Sequence, residues 1–239
     1  MRVRVTRTIK AQPTRLDELL ALTVRTAEHV AERTDIRPDV FAVRYAPKEA
    51  GDVKVFTDFD SLAQYEELFL AGLLSDAQYL DLAEEAAQLV RQEPRDELLV
   101  LLDRDDFFLN YKDQTSQEPI NPPRGSQPPR RYRLMRHVDV STGRLREYMK
   151  RAFEFADRFQ EVTSMQPEVF CTRFAAERIG CSQVFYDYDD CPMCGPLLLG
   201  QERELADTPG LLERPPIDEL YQRIGHEELE VAFRTVGSR

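Results

Sequence analysis

Apolar and polar positions change period in a fixed order along the chain. From Val3 to Ala11 they alternate, Val3, Val5 and Ile9 against Arg4, Thr6 and Thr8, which predicts a strand. From Thr14 to Arg33, Leu16, Leu19, Leu20, Val24, Ala27 and Val30 recur at helical spacing, and Thr14 with Asp17 and Glu18 reads as the helix start. Asp39–Tyr45 and Val53–Phe59 return to strand, and the turn at Lys48–Asp52, with Gly51, makes them a hairpin. Ser61–Leu70 and Asp76–Arg91 read as helical and Glu97–Leu102 as a closing strand. The order β-α-β-β-α-β is the split-βαβ, ferredoxin-like plan.

The pattern then recurs. Shifted by 129 residues (133 − 4), Arg2–Asp60 overlies Arg131–Asp189 without a gap. Identities include Arg4/Arg133, Arg7/Arg136, Arg15/Arg144, Glu18/Glu147, Phe41/Phe170, Arg44/Arg173, Phe56/Phe185 and Asp58/Asp187. In the second copy the expected elements are Tyr132–Val140 (strand), Arg144–Glu161 (helix), the hairpin Glu168–Phe174 with Gln183–Tyr188, a late helix over Ile217–Ile224 and a closing strand over Glu228–Thr235. The chain therefore divides into units 1–103 and 131–239, joined by a Pro-rich linker over 104–130.

Two consecutive βαββαβ units of this size resemble the dimeric α/β-barrel superfamily in tandem form. That superfamily includes antibiotic-biosynthesis monooxygenases, aromatic polyketide cyclases and NIPSNAP-type proteins. The resemblance implies an α+β fold in which two ferredoxin-like units form an intramolecular barrel, with helices outside and a ligand cavity between the sheets. It implies a cofactor-independent oxygenase or cyclase of bacterial secondary metabolism, acting on an aromatic, polyketide-like substrate. The alternative is a non-catalytic small-molecule-binding or scaffold protein on the same barrel.

Strand alternation nominates the side chains that face such a cavity. They are Arg4, Thr6 and Thr8 on the first strand, Ala42 and Arg44 on the second, and Phe56 and Asp58 on the third; Phe41, Val43 and Tyr45 are assigned to the helix side. The second copy offers Arg133, Met135 and His137, then Cys171 and Arg173, then Phe185 and Asp187. With Arg44 opposite Phe56, Asp58 lies diagonal to Arg44, which predicts Arg44–Asp58 and Arg173–Asp187 pairs. Such pairs hold sheets in register, or their guanidinium groups receive a substrate oxyanion.

The copies differ at Thr8/His137, Thr6/Met135 and Ala42/Cys171. His137 is a satisfied strand residue or a general base. In the enzyme reading His137 is the base, Asp187 orients it, and Arg133 and Arg173 hold the oxyanion. His29 is placed on an exposed helix face. Residues 189–196 carry Cys191-Pro-Met-Cys194, which reads as a metal pair, a dithiol or a Pro/Gly-rich loop interrupting a helix. No second Cys-x-x-Cys exists, so no metal is assigned. No phosphate-binding glycine loop, His-Glu-x-x-His or Ser-His-Asp order appears, so no cofactor is expected.

Composition narrows the partners. A net charge of −11 disfavours nucleic acid. No apolar run approaches the length of a membrane span, and the first residues lack a signal-peptide core, so a cytoplasmic protein is expected, monomer or homodimer, with a small aromatic molecule as its partner.

Overall fold

A computed structural model describes residues 2–46, 51–101, 130–174, 181–189 and 194–225, the side chains of 173, 174 and 194 excepted. All of the expected linker but Arg130, the predicted strand over Glu228–Thr235, His226 and Cys191 lie outside the described residues. The chain divides into two compact units, Met1–Leu99 with Tyr221–Arg239, and Val100–Leu220.

Unit 1 contains β1 (Val3–Ile9), α1 (Leu16–Thr34), β2 (Asp39–Tyr45) and β3 (Val53–Phe59). A short helix α2 (Leu62–Tyr65), a π-helical stretch (Glu66–Gly72) and a 3-10 turn (Leu73–Ser75) lead to α3 (Ala77–Ala87) and β4 (Arg95–Leu101). The strands lie in the order β4-β1-β3-β2, as a ferredoxin-like unit requires. The second copy repeats this with β5 (Tyr132–Val138), α4 (Leu145–Thr163), β6 (Glu168–Phe174), β7 (Ser182–Tyr188), α5 (Cys194–Ala206) and β8 (Ile217–Arg223), in the order β8-β5-β7-β6, the division between the compact units falling within β8 after Leu220.

The duplication is legible in the coordinates. From β1 to β3 every element recurs 129 residues later (132 − 3) with identical bounds, and the register recurs too: Val3 faces Phe59 and Tyr132 faces Tyr188. Beyond β3 the copies diverge, and β8 follows β4 by only 122 residues (217 − 95).

Each sheet packs one face on its long helix. In unit 1, Leu19, Leu20, Val24 and Ala27 bury against Ile9, Val40, Ala42 and Val53. In unit 2, Tyr148, Met149, Phe153 and Phe159 bury against Val138, Val169, Cys171 and Tyr186.

Three expectations are corrected. Ile217–Arg223 is a strand, not a helix. Residues 194–206 form α5, so the helix already begins within the segment 189–196 for which an interrupting loop was one reading; Pro196 sits in its first turn, where a missing N–H costs nothing. The faces of β2 are reversed: Ala42 and Cys171 join the helix-side cores, while Phe41 meets Phe56 and Phe170 meets Phe185 on the other face.

Candidate functional site

A cavity of about 730 Å³ opens in unit 1 between the sheet and its helices. Its floor is Val5, Arg7 and Ile9 of β1 with Val55 and Thr57 of β3; its walls are Thr23, Thr26, Ala27 and Val30 of α1 and the Tyr79 face of α3. That volume suits a drug-sized ligand. Thr23 and Thr26 donate to the carbonyls of Leu19 and Leu22 at 2.7 and 2.9 Å, so their hydroxyls are engaged within the helix.

Two cations line this largely apolar space, Arg7 on the floor and Arg91 among the closing residues. Arg7 donates from Nε and Nη2 to Asp96 at 2.8 and 2.7 Å, which leaves Nη1 with a long contact of 3.5 Å to the Tyr79 hydroxyl. The hydrogen bond to Asp96 outweighs burial and raises the Arg7 pKa, so the guanidinium stays charged. The Phe69 ring lies under it at 5.7 Å. Arg91, Gln92, Glu93 and Pro94 complete the lining.

Unit 2 holds the same arginine in a different setting. Arg136 makes the matching bidentate pair with Asp218, at 2.7 and 2.6 Å. Its Nη1, however, donates to the Leu198 carbonyl and to Gln201 of α5, at 3.1 and 2.7 Å. Positions equivalent to Thr26, Val30 and Thr57 carry Phe155, Phe159 and Tyr186, each 4% exposed or less. The Phe159 and Tyr186 rings sit 4.7 Å apart. Aromatic bulk thus occupies the volume that unit 1 leaves open.

No family model and no curated protein matches this sequence. Solved structures do. A protein of Fusobacterium nucleatum subsp. nucleatum that bears the name of a monooxygenase aligns with a TM-score of 0.63 at 8% identity, covering 94% of this chain and 93% of its own. An anthrone oxidase-like protein aligns at 0.57 with 10% identity, over 94% and 92%. A chlorite dismutase variant from Candidatus Nitrospira defluvii, in complex with cyanide, aligns at 0.54 with 8% identity, over 95% and 92%. The chain has the dimeric α/β-barrel fold in tandem form.

Of the nominated residues in this α/β-barrel fold, Arg4, Thr6, Thr8, Phe56 and Asp58 lie on the unit 1 sheet face away from the cavity, and Arg133, Met135, His137, Phe185 and Asp187 on the equivalent face of unit 2, whereas Ala42 and Cys171 belong to the helix-side cores. Arg4 pairs with Asp58 directly across the β1–β3 ladder, at 2.6 and 2.8 Å, and Arg133 pairs with Asp187 at 2.6 Å through both nitrogens. Each guanidinium stands over a ring, Phe56 at 5.9 Å and Phe185 at 5.6 Å. Thr6 and Met135 share those faces and are buried; Thr8 faces Lys54 across the ladder. The predicted Arg44–Asp58 pair does not form, because Asp39, not Arg44, faces Phe56. Arg44 is exposed and donates to Gln222 at 2.7 Å. The Arg173 side chain lies outside the described residues, so its pairing is not placed.

His137 does not meet Asp187. The two stand at opposite ends of the β5–β7 ladder, where His137 faces Gln183 and Asp187 faces Arg133, four residues and roughly 13 Å of strand apart. The partner of His137 is Asp139, 3.0 Å away. His29 is buried, not exposed, and lies 2.9 Å from Asp76. Sequence reasoning missed Arg7, Tyr79 and Asp96. The available signal was Asp96-Glu97-Leu98, repeated as Asp218-Glu219-Leu220, beside the Arg7/Arg136 identity.

Proposed function

We propose that this protein is a small-molecule enzyme of oxygenase type that binds an aromatic, largely apolar substrate in the unit 1 cavity. The observation that carries this reading is the contrast between copies: one inherited pocket is packed with aromatic side chains, and the other stays open around Arg7. An enzyme needs a shaped apolar space with few polar groups aimed into it, and duplication supplies a second copy free to lose it.

A keto or phenolic oxygen entering the cavity can accept from Arg7 Nη1 and the Tyr79 hydroxyl, which strengthens as negative charge develops on that oxygen. Glu93, on the lining, can take the proton. The resulting electron-rich carbanion reacts with O2 without a metal or organic cofactor. For anthrone, suggested by the anthrone oxidase-like neighbour, one O2 is consumed, the methylene becomes a carbonyl, and water carries away the remaining oxygen and two hydrogens. Secondary metabolism supplies substrates of this chemistry.

The test is O2 uptake with anthrone, using wild type and the triple variant Thr26→Phe/Val30→Phe/Thr57→Tyr. The variant copies residues that the same fold already buries in unit 2, so it should fold and lose both binding and turnover. Binding without O2 uptake in the wild type would point to a binding protein; full activity in the folded variant would refute the cavity assignment.

A further inference from the structure

Asp139, just beyond the end of β5, lies in unit 2 with its side chain almost wholly buried, and three groups converge on it. His137 Nε2 is 3.0 Å from Oδ1, the Cys181 thiol donates to the same oxygen at 3.0 Å, and Arg214 pairs with Oδ2. One ligating atom each from His137, Asp139 and Cys181 fall within 4.8 Å of one another. All three belong to one end of the β5–β7 ladder and one sheet face. Copy one has Thr8, Lys10 and Asp52 at the equivalent positions, so the donor set belongs to the second copy alone.

We propose that His137, Asp139 and Cys181 bind one Zn²⁺ ion. A nitrogen, a sulfur and a carboxylate oxygen suit a borderline-soft ion; Mg²⁺ and Ca²⁺ select oxygen-only shells. Zinc bonds of about 2.0–2.3 Å in tetrahedral arrangement need ligand atoms a little over 3 Å apart, so the two 3.0 Å contacts to Asp139 need open only slightly, and the His137 and Cys181 atoms already lie within 4.8 Å of each other. On binding, the Cys181 S–H bond breaks, the sulfur bonds to zinc and the proton passes to water, with no change of oxidation state. Arg214, on the second carboxylate oxygen, fixes the orientation of Asp139 as outer groups do at zinc sites. The sequence directs attention to Cys191 and Cys194; the fold gathers Cys181, His137 and Asp139. His137, whose side chain is 20% exposed, marks the side from which the ion enters and where a fourth ligand, water, completes the shell.

The test uses the full-length protein stripped with a chelator and titrated with Co²⁺ as a spectroscopic probe, then with Zn²⁺ in competition. Expected are one ion per chain, a thiolate-to-cobalt charge-transfer band, and displacement by Zn²⁺. Cys181→Ser should abolish the band. His137→Gln, at a partly exposed position where folding is safe, should weaken Zn²⁺ binding at least about 100-fold, and Arg214→Gln about 10-fold. Cys191→Ser/Cys194→Ser should leave band and affinity unchanged. Absence of the band in wild type, its survival in Cys181→Ser, or its loss in the Cys191/Cys194 variant would overturn the proposal.

Discussion

At the scale of single residues, backbone sign and carboxylate environment give the cleanest expectations. Both long helices end on a left-handed residue, Asp35 and Ser164, each at φ 57°. Glycine is preferred there, so Ser164→Gly should stabilise the fold by about 0.5–1 kcal/mol in chemical denaturation. Asp76 caps α3, accepting from the Tyr79 N–H and from His29, and these bonds, the backbone one first, lower its pKa from 3.8 to about 2. A lowered carboxylate pKa stabilises the fold above the unfolded value and loses that contribution as pH falls through the folded one. The Tm gap between wild type and Asp76→Asn should therefore narrow between about pH 4 and pH 2. A gap constant over that window would contradict the assignment. At the cavity, Tyr79→Phe should lower kcat about 100-fold with little change in KM, since its hydroxyl acts on charge that develops in the transition state.

At the scale of elements, the strands and long helices were legible because their periods differ and because the chain repeats them. What failed has physical causes. Both faces of these sheets are buried: Arg4 and Phe41 are as hidden as Val40 and Ala42. Hydrophobicity then cannot say which face is which, and the largest apolar side chain, Phe41, was sent to the wrong one. That error, with a misjudged hairpin register, gave Asp58 the wrong arginine. Ile217, Leu220, Tyr221 and Ile224 have helical spacing, yet the segment is strand β8, from which Asp218 pairs with Arg136. The paired charges Arg133 and Asp187 act together: Arg133→Met alone should cost roughly 2 kcal/mol, and Arg133→Met/Asp187→Leu less, because the second change removes the stranded carboxylate. Additive costs in a double-mutant cycle, the double variant losing the sum of the two single losses, would show that the two do not interact.

At the scale of the molecule, the two ferredoxin-like copies share the bounds of their first three strands and long helix at a constant offset of 129 residues. They diverged in what fills the space above the sheet: Thr26, Val30 and Thr57 leave it open in unit 1, and Phe155, Phe159 and Tyr186 occupy it in unit 2. Among the described residues no helix is long and apolar enough to cross a membrane. The central claim is that a ligand enters unit 1 between sheet and helices. A crystal structure of the protein soaked with anthraquinone tests it most directly. The account predicts ring density between β1–β3 and α1–α3, with a carbonyl oxygen at Arg7 and Tyr79; density on the opposite sheet face, beside Arg4 or Arg133, would contradict it.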